Sequence, residues 1–571
     1  LTLSLHALMD DGGTGKSRGM SRMAATLGED SVRMPVALPF LRSPPFPGIS
    51  AARAAISGIA DDADPRPPIS DALIDTLADA RVGSSFWGRA GETAPLVVRD
   101  GAKAPADLVA RYAPGHVVHL PRAEQGRHHI DPWSLVTGAK AVCAPMDDEL
   151  VLVAGLSGVP VFDAAGVAID PAKLRAVVAE RIGAAHYRDP FSGDRIDVTD
   201  AITLLADWRR HIHGNRTIVA ASGMAFWKRE AITHFLWDGE KSPPFLSPAL
   251  ALHRAAHGKG AIAIWPSRVP PITLDEAAAR AIPVARVEDG FLRSRGLGAG
   301  LHPPGSVVVD RTGIYYNARR PNDLETLLAT HDFPPALVER ARRLRVRVCA
   351  TGVTKYGQDG GQMIELPAGR RTVLAIGQVD DDESVRLGGA GVDGNLDFLT
   401  RVRRAEPDAW IIYRPHPDVQ AGHRKGHVSD AQVLAHADVI DRGGAPLMEL
   451  VQAVDEVHVL SSLTGFEALM RGCSVTVHGM PFYAGWGLTR DLAKPVARRG
   501  RPLTLDQLVA AALILYPRYL DPVSRLPCGP EIMVERMAEG SAPKSSWLIR
   551  LRALQGKLRR FMTLSAEFLH G

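Results

Sequence analysis

The run Val457-His458-Val459-Leu460 passes into Ser461-Ser462-Leu463-Thr464-Gly465-Phe466-Glu467, an apolar strand pattern, then a turn loaded with hydroxyls, then a helical pattern. Such a turn suits a phosphate. Unpaired N–H groups at a helix start, the Ser461, Ser462 and Thr464 hydroxyls around Gly465, and the helix dipole all favour an anion. Glu467, one turn further on, is placed to accept hydrogen bonds from ribose hydroxyls or simply to favour the helix start. One strand earlier, Tyr413-Arg414-Pro415-His416-Pro417-Asp418 puts a histidine between two prolines at a strand's carboxyl end, where open α/β sheets bind ligands. From there His416 can donate to a phosphate oxygen or protonate a departing one, and Arg414 adds charge.

Two further stretches end strands. Glu288-Asp289-Gly290 has Arg286, Arg293 and Arg295 near it in sequence. A carboxylate kept ionised there suits attack on an electrophilic sugar carbon or stabilisation of an oxocarbenium-like centre; the plain alternative is a structural ion pair with a neighbouring arginine. Gly377-Gln378 precedes Asp380-Asp381-Asp382. Three acids in a row invite a divalent cation, but no second ligand cluster at metal spacing accompanies them, so we expect a solvated turn and no metal.

The elements that must position these residues alternate strand and helix. Over 206–350 strand patterns at 215–221, 261–265 and 282–287 are separated by helices, and helical spacing follows over 334–350. Over 351–540 strands are expected at 372–376, 410–414, 456–460 and 474–477, with helices at 394–405, 446–453 and 465–471. The fold class is therefore α/β and GT-B-like: two doubly wound parallel-sheet lobes facing each other across a cleft.

The rest of the chain bounds that picture. With 571 residues, 46% hydrophobic and 23% charged, there is material for two to four ordinary cores. A formal charge of +4 argues against a nucleic-acid surface over the whole protein. Cys143, Cys349, Cys473 and Cys528 lack metal-like spacing and suit reduced thiols. Neither a secretory signal nor a membrane-spanning run stands out, which points to the cytosol. Residues 1–70, rich in Pro, Gly, Ser and Arg, read as a weakly ordered tail, and Gly12-Gly13-Thr14-Gly15-Lys16-Ser17 departs from a P-loop because Asp10 stands where a glycine is required. Residues 541–571 interleave basic and apolar residues, as a helix lying on an anionic membrane surface would, or one packed by its apolar stripe.

Residues 71–205 hold a partial repeat of the later half. His186-Tyr187-Arg188-Asp189-Pro190-Phe191-Ser192 matches Arg518-Tyr519-Leu520-Asp521-Pro522-Val523-Ser524, and Leu135 to Val142 lines up with Leu450 to Val457. Where the later copy has its hydroxyl turn, the earlier has Pro145-Met146-Asp147-Asp148-Glu149 and no His-Pro strand end. Acids in that place repel a phosphate, so the first copy is expected to be a degenerate, non-catalytic module.

Taken in order, Ser222…Trp227-Lys228-Arg229, Glu288-Asp289-Gly290-Phe291-Leu292-Arg293-Ser294, Asp310…Gly313-Ile314-Tyr315-Tyr316, Gly377-Gln378-Val379-Asp380, His416-Pro417-Asp418, Ser462-Leu463-Thr464-Gly465-Phe466-Glu467 and Pro481-Phe482-Tyr483-Ala484-Gly485-Trp486-Gly487 resemble the capsule polysaccharide synthesis proteins of KpsC/LipB type. The resemblance covers about 215–525. It implies a retaining β-Kdo transferase that takes Kdo from CMP-Kdo and builds a linker on a phosphatidylglycerol-type lipid acceptor, without a cofactor, at the cytoplasmic face of the inner membrane of a Gram-negative cell and beside other capsule synthesis and export proteins. It assigns the donor to Arg414, His416, Pro417, Ser461, Ser462, Thr464, Gly465, Glu467 and Gln378 in the 351–540 lobe. The acceptor or sugar falls to Ser222, Trp227, Lys228, Arg229, Arg293 and Tyr356. Retention calls for two displacements, with Asp289 the expected nucleophile, Glu288 in reserve and His416 assisting. The chain departs from the two-module pattern in its first half, and has Lys355-Tyr356-Gly357 where an asparagine is expected after the tyrosine. Two other readings stay open: transfer of another CMP-linked acid sugar such as a sialic acid, and an inactive scaffold in a capsule complex.

Overall fold

The computed structural model describes residues 38–59, 68–113, 116–120, 129–293, 302–354, 362–422, 424–442 and 445–540. The glycine-rich stretch 12–17, Tyr356 and the basic segment from 541 onward lie outside them.

The C-lobe is built on strands that read as near-continuous apolar runs, as fully covered parallel strands do. Its sheet runs Val439–Ile440, Trp410–Arg414, Thr372–Ile376, Glu456–Val459, Ser474–Val477, Arg490–Asp491, every pair parallel. In chain order that is 3-2-1-4-5-6, so the order reverses between Thr372–Ile376 and Glu456–Val459, and a crevice opens at their carboxyl ends. Helices Gly394–Ala405, Leu447–Ala453 and Leu463–Met470 supply the crossovers. The four inner strands and the three helices are those that the periodicity marks out; the two-residue edge strands Val439–Ile440 and Arg490–Asp491 are too short to show a period.

In the N-lobe, Ile218–Ser222, Ala261–Ile264 and Val284–Asp289 are parallel, as expected, but the sheet continues with antiparallel Ser306–Asp310, Pro517–Leu520 and Pro527–Cys528. The last two strands correct the boundary drawn at 351–540. After the helix Leu505–Val509 and its π-helical continuation Ala510–Leu515, the chain leaves the C-lobe and returns to the N-lobe edge. An edge strand needs a partner for its unpaired N–H and C=O groups, and Ser306 to Val308 find theirs in Pro517 to Tyr519 rather than in sequence neighbours.

The two lobes are clamped. Buried Glu325 of the N-lobe receives Arg499 at 2.8 Å and Arg498 at 2.5 Å from the C-lobe, Arg345 pairs with Asp506 at 2.7 Å, and Phe291 stacks on Phe482 with centroids 4.5 Å apart. Together they fold the two sheets around one cleft in the GT-B-like manner.

The first copy has a four-stranded parallel sheet, Val117–Leu120, Leu96–Arg99, Ala141–Cys143, Val161–Phe162, in the order 2-1-3-4. That is the order of the inner four C-lobe strands. The likeness extends to single bonds. Tyr187 donates to the Ile182 carbonyl at 2.9 Å, and Tyr519 to that of Leu513 at 2.8 Å. The turns after them close with Gly193 N–H on the Asp189 carbonyl and Arg525 N–H on the Asp521 carbonyl, both at 2.8 Å. The π-helical turn accounts for the one extra residue before Tyr519.

The expectation of a weakly ordered 1–70 does not hold for 38–59. Phe40, Leu41 and Ile56 are fully buried in the first-copy core, and Ser57–Ile59 pairs antiparallel with Ala185–Arg188. Prolines and glycines hid these short apolar clusters, which plug a core without forming a periodic element.

Candidate active site

A cleft of about 1010 Å³ runs between the lobes and is lined from the N-lobe by Glu288, Asp289, Phe291, Tyr315 and Tyr316. From the C-lobe come Gln378, Arg414, His416, Pro417, Ser461, Ser462, Thr464 and Glu467. The strand ends picked out by residue type therefore meet in one space. The N-lobe residues Ser222, Trp227, Lys228, Arg229 and Arg293 are not among its lining, nor is Gly465.

On the C-lobe side, Gln378 and Ser461 sit at the carboxyl ends of the two strands between which the sheet order reverses. The Gln378 amide spans the gap: its Oε1 accepts from Ser461 N–H at 2.7 Å and its Nε2 donates to Ser461 Oγ at 3.2 Å. Gln378 is in turn held at its own backbone by Asn395, which accepts from Gln378 N–H at 2.9 Å and donates to its carbonyl at 2.7 Å. Thus Gln378 fixes the turn. Ser462 caps the Leu463–Met470 helix, its Oγ accepting from Thr464 N–H at 3.2 Å and donating to Thr464 Oγ1 at 3.1 Å. Gly465 is required by close packing: a Cβ there would stand 2.3 Å from the Tyr483 hydroxyl, which donates to the Ser462 carbonyl.

His416 caps the short helix Pro417–Gln420, with Nδ1 accepting from Asp418 N–H at 3.1 Å. An accepting Nδ1 leaves the proton of the neutral ring on Nε2, the form able to donate to an anion. Arg414 is buried, and its Nη1 binds Asp441 at 2.9 Å and the Ala445 carbonyl at 2.6 Å; its charge is shared with a structural partner as it lines the cleft. Of the acidic turn, Asp381 pairs with Arg424 at 2.9 Å, Asp382 caps the helix Glu383–Gly388, and Asp380 accepts from Asn395 at 3.2 Å. Each acid has a protein partner.

Across the cleft, Asp289 ends its strand between two cations. Its Oδ1 is 3.0 Å from Lys228 Nζ and its Oδ2 is 2.8 Å from Arg293 Nε. Arg293 is itself 1% exposed and also donates to the His302 carbonyl at 3.0 Å. Lys228 lies 3.4 Å from the Trp265 ring centroid; burial lowers its pKa, against the opposing pull of Asp289 and Glu288. The arginine pairing open at the outset is therefore present, joined by a lysine from a separate element, so one cation holds each carboxylate oxygen. Gly290 lets the backbone of the neighbouring strand approach, since a Cβ there would meet Ser306 Oγ at 2.3 Å. The remaining described acceptor-side residues point elsewhere: Arg229 donates to the Met224 carbonyl and stacks on Phe245, Trp227 lies under Arg268, and the buried Ser222 Oγ has no hydrogen-bond partner among the described residues.

Residue-type reasoning passed over Tyr316 and Arg471. Tyr316 lines the cleft as a phenol whose pKa is raised by burial and then by Glu288; its signal lay in Gly313-Ile314-Tyr315-Tyr316. Arg471 also lines it, donating to the carbonyls of Glu467 at 2.9 Å and Val353 at 3.4 Å; nothing in its local sequence marked it. Among the described residues one group could gather a metal: Glu406, Glu456 and His458 bring ligand atoms within 4.8 Å of one another. It lies at the amino end of Glu456–Val459, away from the cleft. Arg371 binds both carboxylates and Arg490 binds Glu406, so their charge is balanced by protein.

The model of the family described as "Capsule polysaccharide biosynthesis protein" matches residues 260–358 and 342–519. The capsule polysaccharide modification protein LipA of Neisseria meningitidis serogroup A is 38% identical over 350 residues, 61% of this chain and 49% of LipA. The chain thus spans about half the length of that curated relative. Two solved structures from Thermosulfurimonas dismutans KpsC are similar. The β-Kdo 2,7 transferase is 31% identical with a TM-score of 0.47, covering 57% of this chain and 99% of that one. The β-Kdo 2,4 transferase is 33% identical with a TM-score of 0.49, covering 56% and 98%. No helix among the described residues is long and apolar enough to cross a membrane. Over residues 260–519, whose motifs meet in this one cleft, the chain matches the capsule polysaccharide biosynthesis protein family.

Proposed function

We propose that the chain is a retaining glycosyltransferase that moves Kdo from CMP-Kdo to a lipid-linked acceptor during capsule synthesis, using the cleft between residues 206–350 and 362–504. The observation that carries this reading is the juxtaposition of a fixed, hydroxyl-rich helix start with the carboxylates of Glu288 and Asp289 across one cleft. The donor's phosphate sits at the Ser461–Ser462–Thr464 turn, where His416 Nε2–H donates to it and Glu467 accepts from the ribose. Asp289, oriented by Lys228 and Arg293, attacks the anomeric carbon as CMP departs with the bonding pair. An acceptor hydroxyl then displaces Asp289, loses its proton and restores the original configuration. Glu288 is the alternative nucleophile.

Residues 71–205 in this reading are a donor lobe that has lost its donor site, so one active module makes one linkage type. The test is mass spectrometry of the protein incubated with CMP-Kdo. A glycosyl adduct on the Asp289 peptide is expected; an adduct on Glu288 reassigns the nucleophile. An adduct formed only from another CMP-linked acid sugar changes the donor, and none from any leaves the scaffold reading.

A further inference from the structure

The cavity lined by Asp207, Arg210, His211, Asp323, Thr326 and Arg518 has a volume of about 440 Å³ and lies where helix Val198–His213 meets the N-lobe sheet. It is separate from the catalytic cleft. Its lining takes in Val309 and Thr312, at the end of Ser306–Asp310 where Asp310 pairs with Arg286, whereas Asp289 pairs with Val307 at the other end.

Arg518 is the unusual group in it. Its Nη1 donates to Asn215 Oδ1 at 2.6 Å and to the Phe235 carbonyl at 3.3 Å, both neutral acceptors. Among the described residues no carboxylate lies within ion-pair distance of it, although the other cations of this wall are matched, Arg210 by Asp207 and Arg340 by Glu531. Burial, with Arg311 and Arg210 adding like charge, lowers the Arg518 guanidinium to about 10. A half-buried charge without a counter-charge is costly to keep. The second observation is His211: it is 8% exposed, lines the same cavity, and its Nε2 has no hydrogen-bond partner among the described residues. The wall also carries the carboxylates of Asp207 and Asp323, which accept from hydroxyls and repel a compact polyanion such as phosphate.

We propose that this cavity binds a hydroxylated organic carboxylate, a sugar acid, with its carboxylate on Arg518 and His211 and its hydroxyls on Asp207 and Asp323. The proposal is independent of the catalytic reading. Free Kdo, gluconate and inorganic phosphate serve as probes in saturation-transfer NMR and calorimetry, with CMP reporting the catalytic cleft. The wild-type chain is expected to bind both sugar acids. Arg518→Gln should weaken them at least about tenfold, the loss of one charge-assisted pair. Thr326→Trp, on the exposed rim of the cavity, should block them in a protein that keeps its fold, and both variants should bind CMP as before. Sugar acids that fail to bind the wild-type chain, or that bind both variants as well as the wild type, overturn the proposal; binding of phosphate alone overturns the sugar-acid class.

Discussion

The two copies of the parallel sheet place a helix start at the same point and treat it in opposite ways. In the C-lobe, Ser462 caps the helix, Gln378 holds Ser461 from the strand across the gap, and every side chain at the turn is neutral. In the first copy, Asp148 caps the helix Glu149–Leu156 with Leu150 N–H at 2.9 Å and pairs with Arg99, at the end of the neighbouring strand, at 2.9 Å. Glu149 is bound by Arg42 at 2.8 Å, by Ser84 at 2.6 Å and by Arg181 at 3.2 Å. Burial alone would raise its pKa, but these partners hold it below the usual range. The helix start in 71–205 thus carries internal anions, whereas the C-lobe one does not. The same sheet order accommodates both because apolar burial sets it, while the charge at the helix start is set by the side chains that reach it.

The largest effect that tests this contrast is at the carboxylate the first copy lacks. Asp289→Ala is expected to lower transfer by a thousandfold or more, about 4 kcal/mol of barrier, while calorimetry still shows one CMP per chain. Two CMP sites per chain would break the contrast outright.

Next is the clamp that only the later copy has. Glu325→Gln leaves Arg499, itself 1% exposed on its side chain, without its counter-charge, and denaturant unfolding should show a loss of about 3–5 kcal/mol. Gln378→Ala releases the Ser461 turn; CMP affinity should fall about tenfold, with the melting temperature little changed. The matching change in the first copy, Asp148→Ser, should leave CMP binding unaltered and cost about 1–3 kcal/mol, since the Arg99–Asp148 pair is lost.

The smallest effect is a pH dependence carried by two buried histidines away from either helix start. His211 and His478 are buried, and burial depresses each to about 3. A depressed histidine takes up its proton more readily in the unfolded chain. Stability is therefore complete above about 6.5, the ordinary histidine value, and is lost as pH falls from there toward 3. Thermal melts between pH 7.5 and 5 should show the melting temperature declining, and less steeply in His478→Phe.

Much of the cleft was legible from residue types. Hydroxyls at a strand-to-helix junction, a His between prolines and an acid pair at a strand end each carry chemistry that local sequence expresses, and all three reached the cleft. The Arg293 pairing with Asp289 was open from residue types alone, but Lys228, expected on the acceptor or sugar side, also contacts Asp289 from a separate element, because a cation's partner is decided in space. Arg471 escaped notice for the same reason: its two carbonyl partners come from Glu467 and from distant Val353.

The sequence by itself determined the alternation of strand and helix, the duplicated segment and the hydroxyl turn, since burial patterns and helix starts are local properties. Only the tertiary structure decided that Pro517–Leu520 belongs to the N-lobe, that Gln378 is a brace for Ser461, and that the first copy's acids are neutralised by Arg42 and Arg99. Each of those depends on hydrogen bonds or ion pairs between residues far apart in the chain, and such pairings exist only once the sheets have formed.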